Sequence, residues 1–341
     1  MQQEIIHGQQ ATRRDSLKRL SAGVIGLSAL SSHGHSNASS GFSTQGLKRI
    51  APSIKFQIDQ GIFPGAVSLV AHKGKTVHFE AHGYQDAAKS RAMSKDSIFR
   101  LASMTKPIVT TAAMMLVEQG KLRLNDPVVK WLPELKNLKV ETAQGDVDLV
   151  RPMLVHDVMR HTAGFVYGGS AKSERIRKLY NDLNIEAREV DISASEMLKN
   201  LGQIPLAHQP GTFWEYSIAV DVLGLLIERV ENKSLDDIVH SLLLGPLNMN
   251  DTAWWVPPEK MSRLAECLDS DPLKADMLLS YRQSYNPKGK CYFKGGAGLV
   301  GTAKDYLQYA QMMVNGGQLN GRRYLSPKTV EFMLSQHTVG M

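Results

Sequence analysis

Ser103 and Lys106 stand three residues apart in the stretch Ser103-Met104-Thr105-Lys106, and that pairing could carry acyl-transfer chemistry. A serine hydroxyl is a weak nucleophile until a neighbouring group takes its proton, and a lysine serves as that group only when burial lowers its pKa. Pro107 follows, then an apolar run from Ile108 to Leu116, then Gly120. Pro near the start and Gly just past the end are the punctuation of a helix. A helix that begins near Ser103 points both side chains the same way from its first turn, at the positive end of the helix dipole. The backbone N–H of Ser103, unpaired at a helix start, would then donate to the oxyanion formed on attack. Spacing alone is weak evidence, because Ser-x-x-Lys arises by chance in most chains of this length. Its plainer reading is a serine cap beside a solvated lysine.

The elements that must position this pair are readable from periodicity. Apolar Leu47, Ile50, Ile54 and Ile58 give residues 42–60 the pattern of an amphipathic helix, stopped by Phe63-Pro64-Gly65. Ala66–Ala71 and Thr76–Ala81 read as two strands of a hairpin turning at Lys73-Gly74. Residues 126–206 hold short apolar segments and few β-branched runs, which predicts a helical lobe, with the charged stretch 173–190 as a surface insertion. A helix follows from Tyr216, its apolar face formed by Val220, Leu223, Leu226, Ile227 and Val230. Thr302-Ala303-Lys304-Asp305 caps the start of another through Met313, and Ser326-Pro327 opens a last short one. The glycine-rich segment Gly295–Gly301 precedes a helix, but no Gly-Lys-Ser/Thr ends it, so a tight turn shaping a cleft wall fits better than a phosphate loop. Trp254 and Trp255 fit a core or cleft-wall role, and the sequence does not choose between them.

Five segments in order resemble the serine β-lactamase and penicillin-binding-protein superfamily. The resemblance is strongest to its class C β-lactamase-like branch, which includes the family VIII carboxylesterases. They are Ile98–Pro107 around the Ser-x-x-Lys pair, Gly120–Val128, Leu154–Gly164, Pro210–Ser217 and Gly295–Asp305. The resemblance spans residues 42–341. It implies an α+β fold of the β-lactamase/transpeptidase type: an antiparallel sheet flanked by helices, plus a helical lobe, with the active site between them. It implies Ser103 as nucleophile, Lys106 as its partner and Tyr216 as the second catalytic motif, a phenol relaying the proton from nucleophile to leaving group. Without the resemblance, Phe213-Trp214-Glu215-Tyr216 reads as an aromatic core plug. The family's third motif, on a late strand, has no counterpart here. His337-Thr338-Val339-Gly340 places its glycine one position late, and His161-Thr162-Ala163-Gly164 matches a different landmark. The expectation is therefore a hydrolase domain with its C-terminal strands missing, and with them one oxyanion donor.

The position two after the tyrosine is Ile218, where β-lactamases and peptidases of the superfamily usually carry an asparagine that binds the acylamide of the substrate. An isoleucine side chain forms no such bond, and a site loses much when one side of a polar pair is removed. The expected substrate is thus a small ester, acted on through an acyl-enzyme. The alternatives are a β-lactamase or D-alanyl-D-alanine peptidase and, from another class, a non-catalytic penicillin-binding-like module. No cofactor or metal is expected.

The chain has 341 residues and a net charge of +7, with no basic stripe interleaved with aromatics, so nucleic acid is not an expected partner. Residues 1–38 contain Thr12-Arg13-Arg14-Asp15-Ser16-Leu17-Lys18, an apolar stretch from Leu20 to Leu30 and a polar run. That order resembles a cleaved twin-arginine signal, its apolar part too short to span a bilayer, which implies a periplasmic or secreted protein with no stable membrane span. His33-Gly34-His35 lies in this region and is given no metal role. Cys267 and Cys291 form neither a disulfide framework nor a zinc-type spacing, and a single bridge and two free thiols both fit.

Overall fold

The computed structural model describes residues 43–186, 192–268, 292–338 and 340. The expected first helix is two, Thr44–Leu47 and α1, Ile50–Asp59. Strand β1, Gly65–His72, pairs antiparallel with β2, Lys75–Gly83, each extending a little beyond the predicted bounds. Their turn is Lys73-Gly74, with φ of +48° and +75°, the double left-handed geometry that matches the twist of a two-residue hairpin. α1 packs against the hairpin, and the late helix Ala303–Val314 packs against β1. Among the described residues, β1 and β2 form a sheet of two strands.

The centre of the molecule is α2, Thr105–Glu118. It is apolar nearly all round, as a helix enclosed by other elements must be, and Ile108, Val109, Ala112, Ala113 and Leu116 have no solvent exposure. Each large aliphatic side chain buried this way contributes about 1.5–3 kcal/mol. The helix ends before Gly120, whose φ of +70° reverses the chain at small cost to a glycine. Around α2 lie α3 (Val155–Met159), α4 (Glu174–Asp182), α5 (Ala194–Leu201), α6 (Ala219–Glu231) and α7 (Leu235–Val239). α6 packs on both α2 and α3. The charged stretch expected as a surface insertion includes α4, which is anchored by Ile176 and Tyr180 at 1% and 3% exposure.

Two short strands tie the late part of the chain to the start of α2. β3, Phe99–Arg100, pairs antiparallel with β4, Val300–Gly301. α8, Ala303–Val314, follows β4, with the Thr302 side chain accepting from the Asp305 N–H as the capping sequence predicts. The last helix, α9, spans Pro327–Leu334, and the Ser326 side chain accepts from the Thr329 N–H. No described helix is long and apolar enough to cross a membrane. Residues 1–42, which hold the expected signal, lie outside the described residues, and so does Cys291.

Candidate active site

Ser103 lies in a 3-10 turn, Ala102–Met104, which runs directly into α2. The turn is entered through Ala102 at φ +44°, a left-handed conformation that costs a non-glycine residue of order 1 kcal/mol. This tight entry presents Ser103 and Met104 to solvent, while Thr105 and Lys106 turn inward and are buried. The turn is held from the other side of the chain. Leu101 N–H donates to the Leu299 carbonyl at 2.9 Å, and Leu299 N–H donates to Thr105 Oγ1 at 3.1 Å. Tyr306 OH on α8 donates to the Met104 carbonyl at 3.2 Å.

The three residues singled out in the sequence come together. Lys106 Nζ donates to Ser103 Oγ at 3.1 Å, and Tyr216 OH lies 2.6 Å from the same oxygen. Lys106 Nζ also donates to Tyr167 OH at 3.2 Å and to the Gly296 carbonyl at 2.8 Å. An ammonium has three protons, and each of these has an acceptor. Its charge sits 4.6 Å from the Tyr216 ring centroid, within the range of a cation–π attraction.

Four contributors were given no catalytic part by the sequence. Tyr167 is one, and its ring lies 5.5 Å from that of Tyr216. Burial, reinforced by the Asp221 charge, pushes its phenol above the usual tyrosine range. His161 is another, with its ring 4.8 Å from that of Tyr216 and Nδ1 accepting from the Ser217 N–H at 3.2 Å. Nδ1 as acceptor leaves the proton on Nε2 of a neutral ring. Burial and then the Lys106 charge bring its pKa down to about 4. His161 itself sits at φ +61°, on a turn fixed by Asp157. That carboxylate has no exposed side-chain surface and accepts from Arg151, Arg160, Thr162 Oγ1 and the Leu154 N–H.

The other two are Gly296 and Asp221. The glycine-rich segment supplies the Gly296 carbonyl to Lys106. Its glycines let it lie directly on α6, since a Cβ on Gly295 would stand 2.5 Å from the Val220 carbonyl and one on Gly296 would stand 2.5 Å from Asp221 Oδ2. Asp221 Oδ1 accepts from the Gly296 N–H at 3.0 Å. Burial pushes this carboxyl above the usual carboxylate range, against the opposing effects of the Gly296 N–H and the charges of Lys294 and Lys106. Asp221 thus grips from behind the residue whose carbonyl holds Lys106.

Ile218 is 3% exposed and belongs to the main hydrophobic cluster, because α6 begins directly after it. Trp254 proves to be core, 1% exposed with its indole N–H on the Lys294 carbonyl, while Trp255 is partly buried against it. Beside Ser103 the surface is apolar: Tyr216 is 39% exposed and Met104 46%, and Trp214, 48% exposed, has its ring 6.4 Å from that of Tyr216.

A serine at a helix start, a lysine one turn on and a tyrosine from a second segment are brought together in an arrangement suited to acyl transfer. A profile of the beta-lactamase family matches residues 50–340, and the chain belongs to that family of serine hydrolases. An uncharacterized protein of Mycobacterium tuberculosis is 36% identical over 290 residues, which cover 82% of this chain and 70% of that protein. Esterase EstB of Burkholderia gladioli is 33% identical over 263 residues, covering 72% of this chain and 64% of EstB. Among solved structures, EstCE1, described as a hydrolase with promiscuous acyltransferase activity, is similar with a TM-score of 0.70 and 28% identity, covering 84% of this chain and 76% of EstCE1. The α+β, β-lactamase/transpeptidase-like fold expected from the sequence is the fold observed.

Proposed function

We propose that the protein is a carboxylesterase that cleaves small esters through an acyl-enzyme on Ser103. The observation that carries this reading is the Ser103 oxygen held between Lys106 Nζ at 3.1 Å and Tyr216 OH at 2.6 Å. With the Lys106 protons directed to Ser103, Tyr167 and Gly296, the group left to take the serine proton is the Tyr216 oxygen, which acts in its deprotonated form. Ser103 Oγ attacks the ester carbonyl as its proton passes to Tyr216. The tetrahedral oxyanion is met by the Ser103 N–H at the start of α2. Collapse breaks the C–O bond to the alcohol, which takes the proton back from Tyr216. Water then attacks the acyl-enzyme by the same relay and returns Ser103 to its free form.

An ester substrate is supported on three sides. Ile218 carries no amide for an acylamide group, and its side chain is committed to the core. The exposed Trp214 and Met104 offer an apolar rim suited to a short acyl or alcohol chain. Two of the similar proteins are named as an esterase and a hydrolase with acyltransferase activity. Export through the arginine-containing leader, to the periplasm or beyond, is part of the same proposal.

The test is covalent labelling with a fluorophosphonate, followed by peptide mass spectrometry. The adduct is expected on the peptide containing Ser103 and absent from Ser103→Ala, and p-nitrophenyl butyrate should turn over faster than a chromogenic cephalosporin. An adduct on another residue overturns the nucleophile, while faster cephalosporin hydrolysis with Ser103 labelled overturns only the choice of substrate.

A further inference from the structure

Strand β2 carries His78, Glu80 and His82 at alternate positions, and alternate residues of a strand share a face. On the paired strand the register sets Val70, Ser68 and Ala66 opposite them. Ser68 and Ala66 are small, so the space above this part of the ladder is open to the longer side chains of β2. One nitrogen of each histidine and a Glu80 oxygen all lie within 4.8 Å of one another.

Hydrogen bonding within the chain leaves one nitrogen of the cluster, His82 Nε2, without a partner. His78 Nε2 is 2.7 Å from Ser68 Oγ, while its other nitrogen, Nδ1, faces Glu80 Oε1 at 3.7 Å. In the tautomer whose Nε2–H donates to Ser68, Nδ1 presents a lone pair toward the carboxylate, the state in which the ring can serve as a ligand, while in the other tautomer Ser68 donates to Nε2 and Nδ1–H faces Glu80. His82 Nε2 is buried and makes no hydrogen bond, although Glu80 Oε2 is 3.4 Å away. A buried polar atom without a partner costs about 1–3 kcal/mol, and one that is aimed at a carboxylate beside a second histidine is placed as a ligand.

We infer that His78, Glu80 and His82 form a binding site for a divalent transition-metal ion of the zinc type. Two imidazoles and a carboxylate are the donor set that such an ion takes. Tetrahedral coordination at zinc bond lengths separates neighbouring ligand atoms by about 3.4 Å; here Glu80 presents Oε1 to His78 Nδ1 at 3.7 Å and Oε2 to His82 Nε2 at 3.4 Å, and the three ligand atoms lie within 4.8 Å of one another, so binding asks for a small inward adjustment of the side chains. Ser68 acts on His78 as an outer hydrogen bond acts on a metal-bound imidazole, fixing the ring and its tautomer. The Glu80 side chain is 49% exposed, which gives the ion an entry path and leaves room for a solvent molecule to complete its shell. The ion would staple three positions of one strand and so stabilise the hairpin. The site is separate from the proposed hydrolase reaction and does not depend on it.

The experiment is a titration of the full chain with zinc chloride by calorimetry, and with cobalt(II) by visible absorption, comparing wild type with Glu80→Gln and His82→Gln. The chain has 11 histidines, so the difference between proteins is the readout. Wild type should bind one more ion than either variant, or bind it at least about tenfold more tightly, and zinc should raise the melting temperature of wild type alone. Melting curves without metal establish that the variants are folded, and Glu80, being exposed, is the substitution least able to disturb folding. A wild type that binds no zinc, or equal stoichiometry and affinity in all three proteins, overturns the site.

Discussion

Lys106 and His82 are both basic side chains drawn out of water, and their surroundings are opposite. Lys106 is 7% exposed and its three protons go to Ser103 Oγ, Tyr167 OH and the Gly296 carbonyl. His82 Nε2 is buried with no hydrogen-bond partner. In the first region every proton of the ammonium has an acceptor. The second has ligands arranged around a point where an acceptor, a proton or an ion is wanted. Satisfied polar networks fix a geometry, and unsatisfied ones point to what is missing.

The sharpest way to break the first region is to remove its hub. Lys106→Ala leaves Tyr167 OH and the Gly296 carbonyl without their donor and takes the charge from beside Tyr216. Ester kcat/KM should fall by about 10²–10⁴, with Ser103 still slowly labelled by fluorophosphonate. A variant within a few-fold of wild type would show that Lys106 is a packing residue.

A smaller loss is expected from disturbing the hub at one remove. Gly296→Ala would force a Cβ to within 2.5 Å of Asp221 Oδ2 and move the carbonyl that holds Lys106, lowering kcat by roughly tenfold to a hundredfold. Asp221→Ala removes the other half of that grip, whereas Asp221→Asn keeps an oxygen for the Gly296 N–H. Steady-state kinetics should rank Asn above Ala, and equal losses in the two would mean that the carboxyl matters through its charge rather than through its hydrogen bond to the Gly296 N–H.

The mildest effect concerns pH and stability. His161 titrates at about 4 in the folded chain and near 6.5 when unfolded. Between these values the unfolded chain holds a proton that the folded chain lacks. Stability is therefore full above about pH 6.5, falls as the pH drops, and stops falling on this account near pH 4. The loss integrates to roughly 3 kcal/mol. Thermal melts across this window should show His161→Gln losing less stability than wild type, and parallel curves would remove His161 from the account.

The hairpin, α2, α6 and the capped start of α8 were legible in the sequence because each is specified locally. Lys73-Gly74 selects its own turn, and Thr302 finds the Asp305 N–H three residues away. Ser103, Lys106 and Tyr216 were legible through the segments that carry them. Tyr167 and Asp221 were not, because nothing nearby in the chain marks them, and His161 stood in a recognised segment without a part at Ser103. Tyr167 becomes part of the site only when α2 lies against its loop, and Asp221 only when Gly296 comes down on α6. Ile218 was legible as an absent amide but not as a core residue, since that follows from where α6 starts. The His-x-Glu-x-His alternation on β2 reads as an ordinary polar strand face until the unpartnered nitrogen is seen.

Lys106 meets Tyr167 across 61 residues of chain and Gly296 across 190, and Ser103 meets Tyr216 across 113. None of these contacts forms when a single helix or hairpin forms. Each waits for the closure of a long loop, a step whose entropy must be offset before the contact returns anything. The reactive serine is therefore assembled late, when the chain has acquired its topology and not merely its helices. Until then the hydroxyl is an ordinary alcohol, which protects a newly made chain from acylation. A covalent probe of Ser103 thus counts natively folded molecules and passes over compact but misassembled ones.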